Sequence, residues 1–239
     1  ALFAVAALGL FTQRGAAQVR PNWQRCLALA GAGLLLGGHW WSFFIAIKVA
    51  GVAVATLGFA SFPAFTVLLE GLLFKERVNR GEWAVVGLVC LGLVLVTPHF
   101  DFGSEATLGL AWAVLSGLLF ALVSVSNRAT TRGLHPAQAA LWQNISILLC
   151  SLPLAWSLLP TVRALDWLWI ALLGLLCTAL AHSLFVASLR VLNARSASVV
   201  FALEPVYGIA FAWWLFHEQP SLRMLGGGAL IVLATVLSA

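Results

Sequence analysis

Few residues in this sequence have the type and spacing to do chemistry, and one sits where a charge is costly. Residues 199–211 read VVFALEPVYGIAF, and Glu204 is the only charged residue in the run. A carboxyl inside an apolar span costs about 3 kcal/mol on insertion scales and is functional by default. It lies about eight residues, or about 12 Å at a helical rise, from the inner end of its segment. The adjacent Pro205 removes a backbone N–H and leaves the Phe201 carbonyl without its usual donor in a continuous helix. A freed carbonyl beside a carboxylate is a polar notch for a proton, a cation or an ammonium group. His182 lies at a similar depth, about 10 Å in. Histidine titrates near neutrality, so the two form a candidate proton or amine site. The alternative is structural: Glu204 bonds a neighbouring helix, and His182 packs neutral against a carbonyl.

A second constellation is aromatic. GGHWWSFF (37–44) places His39, Trp40 and Phe43 within one helical turn, and Gly37 and Gly38 allow close helix approach. Such a wall suits aromatic or cationic substrates through stacking and cation–π contact. Ser61 and Phe62 precede Pro63, and Tyr207 follows Glu204 by three positions, so these are further cavity candidates. Pro63 and Pro205 are expected to kink their helices. Lipid contact or plain packing explains each aromatic taken singly. Glu70 is expected to pair with the basic cluster at 75–80, and Glu76 and Glu218 with local basic groups.

The elements that must hold these residues are membrane spans. The chain has 239 residues, 62% hydrophobic and 9% charged, with mean hydropathy +1.01. A soluble domain carries about a quarter charged residues. The apolar runs are continuous rather than alternating, which predicts helices and not a β-barrel. They fall at 1–11, 26–47, 53–74, 83–98, 107–126, 138–159, 167–189, 196–216 and 222–238. The first run is too short to span about 30 Å, so the expectation is that the chain begins inside a helix. Cys26, Cys90, Cys150 and Cys177 lie in apolar segments without CxxC spacing and are expected to be buried small hydrophobes.

Lysine and arginine set the orientation. Arg14, Arg20, Arg25, Lys75, Arg77, Arg80, Arg128, Arg132, Arg190 and Arg195 fall in one set of alternate loops; Lys48, Arg163 and Arg223 fall in the other. The richer set is expected in the cytoplasm, with the C-terminus. The scattered basic residues make no nucleic-acid patch. Trp112, Trp156, Trp167, Trp169, Trp213 and Trp214 lie toward outer ends, as an interfacial belt would.

The sequence also repeats. FASFPAFTVLLEGLLFKE (59–76) aligns with FALEPVYGIAFAWWLFHE (201–218) without a gap at an offset of 142, pairing Pro63 with Pro205 and Phe62 with Glu204. Lys48 falls in an outer loop and its partner Arg190 in an inner one, so the halves are expected to be inverted in the membrane. This predicts repeats at 1–106, with four segments, and 107–239, with five. The unmatched helix would precede residue 1.

The two halves read AIKVAGVAVATLGFASFPAFTVLLEGLLFKERVNRGEW and SLRVLNARSASVVFALEPVYGIAFAWWLFHEQPSLRMLGG. Each has a basic step, a small-residue helix with a central proline, and a terminal acid. This resembles the EamA-like branch of the drug/metabolite transporter superfamily over essentially the whole chain. The resemblance implies an all-α membrane fold of ten helices in inverted five-helix repeats. It also implies a central substrate cavity and export of amino acids, related metabolites or toxic compounds.

No P-loop, HExxH, paired catalytic carboxylates or dinucleotide fingerprint is present, so no enzyme, cofactor or metal is expected. No Lys or Arg sits at mid-span depth, which argues against phosphorylated substrates. The reading is a plasma-membrane exporter of amino acids or similar small metabolites, working by alternating access, with proton coupling through Glu204 and His182. Its alternative is a non-transporting receptor or assembly subunit. Small-residue faces at Gly87 and Gly92, and at Gly226 to Gly228, suit packing within one chain or between two copies, so a homodimer stays open.

Overall fold

A computed structural model describes residues 1–14, 21–75, 77–96, 104–192, 194–201 and 203–237, and no strand occurs among them. The order begins with α1 (Leu2–Arg14), α2 (Trp23–Phe59), α3 (Phe62–Phe74), α4 (Arg80–Val96) and α5 (Glu105–Thr130). It continues with α6 (Pro136–Ala155), a 3₁₀ turn (Trp156–Thr161), α7 (Ala164–Leu172), a π-helical stretch (Leu173–Leu180) and α8 (Ala181–Ser188). It ends with α9 (Ala194–Phe201), α10 (Glu204–Phe216) and α11 (Leu222–Leu237). Among the described residues, four stretches are long and apolar enough to cross a membrane: Trp23–Phe59, Glu105–Thr130, Pro136–Thr161 and Ala164–Ser188.

Local chemistry sets the boundaries. α2 has 37 residues, longer than a bilayer core needs, and is interrupted at Gly51 (φ 82, ψ 170). That backbone conformation is essentially restricted to glycine. Asn79 and Glu82 form a capping box on α4: the Glu82 N–H donates to Asn79 Oδ1 at 2.9 Å, and the Asn79 N–H to Glu82 Oε2 at 2.7 Å. Arg163 grips Asp166 through two bonds of 2.8 and 2.9 Å at the start of α7.

The apolar runs anticipate most elements but not their interruptions. The expected 53–74 segment is two helices, parted at residues 60–61, and the expected 196–216 segment is parted between Phe201 and Glu204. Pro63 and Pro205 do not kink continuous helices. Each lies in the first turn of a new one, where the missing N–H has no intrahelical partner to lose.

The offset of 142 seen in the sequence recurs in the backbone. Phe59 and Phe201 end their helices, Phe62 and Glu204 begin the next, and Phe74 and Phe216 end those. Lys75 (φ 54) and His217 (φ 57) then both adopt the left-handed conformation, and Arg80 and Leu222 open the helices that follow.

The chain forms two compact units that each draw on both halves of the sequence. Unit 1 holds residues 1–37 and 126–193; unit 2 holds 38–125 and 194–239. In unit 1, Ala4 and Leu8 of α1 pack on Ala137 and Ala140 of α6 and on Ala179. In unit 2, α4 and α11 share a core of Val85, Val89, Ile231 and Ala234. Gly92 makes that pairing close, since a Cβ there would lie 2.8 Å from the Gly227 carbonyl oxygen. Leu172, Leu175, Trp169, Trp213 and Trp214 are exposed, as lipid-facing side chains are. Cys90, Cys150 and Cys177 join them: they are exposed rather than buried, because the surrounding lipid, unlike water, accepts a thiol at no cost.

Candidate functional site

In unit 2, helix breaks and aromatic rings meet. α5 lies against the α2–α3 junction through small residues spaced by four: Gly109, Ala113 and Gly117. A Cβ on Gly117 would lie 2.7 Å from Ser61 Oγ and 3.0 Å from the Phe59 carbonyl oxygen, and one on Gly58 would lie 2.5 Å from the Ala113 Cβ. This approach brings Phe120 onto the junction. Its ring centroid lies 5.0 Å from Phe62, 5.6 Å from Phe59 and 4.7 Å from His39. Phe43 stacks on His39 at 6.1 Å.

The second break joins through its own phenylalanine. Phe201, the last residue of α9, meets Phe62 edge-on at 5.9 Å and Phe120 at 5.5 Å. Glu204 then opens α10, half-buried, where a carboxylate complements the helix dipole. Its side chain has no hydrogen bond or ion pair among the described residues. The two discontinuities therefore touch, with six aromatic rings on one side and a carboxylate one turn beyond.

His39 is 8% exposed, and its partner fixes its tautomer. Nδ1 lies 2.7 Å from Ser116 Oγ and 3.2 Å from the Ser116 carbonyl oxygen, while Ser116 Oγ donates to the His39 carbonyl oxygen at 3.2 Å. Both contacts of Nδ1 are acceptors, so Nδ1 carries the proton. Ser61 is 2% exposed and donates to the Gly58 carbonyl oxygen at 2.8 Å.

His182 belongs to unit 1 and follows the π-helical stretch, a feature that often marks functional positions. Its Nε2 donates to Gln143 Oε1 at 2.6 Å, and Gln143 Nε2 donates to Asn127 Oδ1. All three side chains are buried. The chain ends on Asn127 Nδ2, which has no partner among the described residues, and Asn144 Oδ1 is likewise unpartnered.

Of the expected residues, His39, Phe43, Ser61, Phe62 and Glu204 gather at the two breaks. Trp40 is half-buried and makes no ring contact among the described residues. Tyr207 is 62% exposed and stands outside the ring cluster. Glu70 is fully buried. Glu76 lies outside the described residues. Glu218 does not turn to a basic side chain: its carboxylate accepts from the N–H groups of Val52 and Ala53. Sequence reasoning passed over Ser116, Phe120 and the ring of Phe201, although the four-residue spacing of Gly109, Ala113 and Gly117 marks the face that delivers the first two. Separately, an apolar cavity of about 840 Å³ lies between α10 and α11, lined by Pro205, Val206, Ile209, Trp213 and Gly228 among others.

Interrupted helices, a buried aromatic cluster and a carboxylate at a helix start are features that membrane proteins with broken helices share. The sequence profile of the EamA-like transporter family matches residues 1–97 and 107–239, and the chain belongs to that family. It is 26% identical over 212 residues to an uncharacterized transporter of Synechocystis sp., covering 87% of this chain and 64% of that protein, so it spans less than two thirds of that relative's length. It is 28% identical to a pseudopaline exporter of Pseudomonas aeruginosa, covering 81% of this chain and 68% of the relative. It is 26% identical to an S-adenosylmethionine uptake transporter of Rickettsia conorii, covering 85% and 68%. A solved crystal structure superposes with a TM-score of 0.73 at 23% identity, covering 99% of this chain and 84% of the other, a likeness of fold.

Proposed function

We propose that this protein is a secondary transporter of the plasma membrane that exports amino acids or similar amphipathic metabolites by alternating access. The observation that carries the reading is the meeting of the two helix breaks through Phe62 and Phe201, with Glu204 opening α10. Broken helices at mid-membrane supply polar backbone to a substrate, and inverted repeats supply two related conformations. In this reading Glu204 holds the substrate ammonium or a coupling proton. His39, Phe43, Phe62 and Phe120 give the apolar and cation–π wall. His182, joined to Gln143 and Asn127, is a second candidate for the proton. One relative is named as an exporter and another as an uptake transporter, so direction is a matter for experiment.

The test is release of a panel of labelled amino acids from liposomes, with and without a pH gradient. Gradient-dependent release by the wild type, lost in Glu204→Gln at equal protein incorporation, is the expected result. A pH profile unchanged by Glu204→Gln removes Glu204 from coupling. Absence of saturable flux for every compound removes amino acids as the substrate class.

A further inference from the structure

Charge is divided unevenly between the two units. Unit 1 contains seven arginines and a single acidic residue, Asp166, whereas unit 2 contains six basic and seven acidic residues. Asp166 is held by Arg163 at 2.8 Å. Three of the other arginines, Arg128, Arg132 and Arg190, line one pocket of about 700 Å³ between the end of α5 and the turn after α8.

Both walls of this pocket are hydrogen-bonded turns. Thr131 Oγ1 donates to the Asn127 carbonyl oxygen at 2.7 Å, the Leu134 N–H to the Thr131 carbonyl oxygen at 3.0 Å, and Arg25 Nη2 to the Arg132 carbonyl oxygen at 3.0 Å. On the other wall the Val191 and Leu192 N–H groups donate to the Ser188 carbonyl oxygen at 3.0 and 2.8 Å. Arg132 and Arg190 are exposed, and beside Arg190 stand Val191, 89% exposed, and Leu192, 42% exposed. The pocket thus joins guanidinium groups to an open apolar edge at the ends of spanning helices. Guanidinium forks match phosphate oxygens in pairs, and the apolar edge matches the acyl region just beneath a headgroup. A soluble anion has no use for that edge. The pocket is built wholly from unit 1, whereas the helix breaks belong to unit 2.

We propose that this pocket binds the phosphate of an anionic phospholipid headgroup, with Arg132 and Arg190 as the principal contacts. Its leaflet is cytoplasmic in the orientation that the basic residues set.

The test uses the purified full chain in detergent, offered equal amounts of phosphatidylglycerol and phosphatidylcholine, with bound lipid read by native mass spectrometry. The expected result is retention of phosphatidylglycerol over phosphatidylcholine by about tenfold or more. Arg132→Gln with Arg190→Gln abolishes that preference, and Arg163→Gln in a different loop leaves it unchanged. Should the double glutamine variant aggregate, Arg132→Lys with Arg190→Lys keeps the charge but loses the paired geometry, and a reduced preference is expected. Equal preference in wild type and charge-removed variants overturns the proposal, leaving these arginines as orientation signals only. Displacement of the lipid by inorganic phosphate at comparable concentration also overturns it, in favour of a free-anion site. Neither readout depends on transport, so failure here is separable from failure of the transporter reading.

Discussion

The Glu218 carboxylate caps the helix that starts at Val52: Oε1 accepts from the Val52 N–H at 2.9 Å and Oε2 from the Ala53 N–H at 3.0 Å. Glu218 and Val52 lie 166 positions apart in the chain, so the cap ties the turn after α10 to the middle of α2. Gly51 makes room for it, both by its φ of 82° and because a Cβ there would lie 3.0 Å from Oε1. Loss of a cap costs about 1 kcal/mol. Glu218→Ala is therefore expected to lower the melting temperature in detergent, and Gly51→Ala to lower it further through backbone strain. The double variant should lose less than the sum, because removing the carboxylate relieves the clash with the new methyl. Additive losses in a thermal-shift series would show that the two residues act separately.

The second expectation concerns how α5 reaches the helix break. Gly117→Ala pushes a methyl to within 2.7 Å of Ser61 Oγ and 3.0 Å of the Phe59 carbonyl oxygen. The backbone oxygen cannot step aside as a flexible side chain does, so overpacking of about 1–3 kcal/mol follows. Gly87→Ala is the control, since a Cβ there has nothing within 4 Å. Thermal stability should fall for the first and hold for the second. Equal stability of the two would mean that α5 does not press on the junction.

Much of the architecture was legible in the sequence because membrane spans announce themselves by composition. The offset of 142 pairs Pro63 with Pro205, and it reappears in helix boundaries and in the left-handed Lys75 and His217. The breaks were less legible. A proline in an apolar run reads equally as a kink or as a helix start, and residues 60–61 carry no strong turn chemistry to decide it. Contacts distant in sequence were not legible at all. Nothing near His39 names Ser116, 77 positions on, and nothing near Glu218 names Val52. Cys90, Cys150 and Cys177 were misplaced for a physical reason: thiols bury in soluble proteins, but lipid accepts them just as well.

The buried polar chain of unit 1 gives a third expectation. Gln143 is fully buried and uses both ends of its amide, accepting from His182 and donating to Asn127. Gln143→Leu strands two buried polar partners at about 1–3 kcal/mol each. Its stability loss should exceed that of Ser183→Ala, which removes one hydroxyl donating to the Ala179 carbonyl in the preceding turn. If His182 carries a proton in transport, Gln143→Leu in whatever fraction folds should also shift the pH profile of flux. A shift in stability with an unmoved pH profile would confine the chain to a structural role.

The last expectation follows from an asymmetry between equivalent positions. Phe62 and Glu204 both open the helix after a break, yet Phe62 is 1% exposed within the ring cluster and Glu204 is a half-buried carboxylate. If the two divide the work, Phe62 sets which side chain is accepted and Glu204 holds the charge. Phe62→Leu keeps an apolar group of nearly the same reach but removes the ring that meets Phe59, Phe120 and Phe201 at 5.0 to 5.9 Å. The loss in stability should stay near 1 kcal/mol, within the range of volume-conserving exchanges. Flux of aromatic substrates should show a raised KM, with kcat and the pH profile little changed, whereas Glu204→Gln should alter the pH profile for aromatic and aliphatic substrates alike. Measuring both variants against one aromatic and one aliphatic amino acid separates the roles. An equal change in KM for the two compounds in Phe62→Leu would show that the ring packs the fold and does not read the substrate.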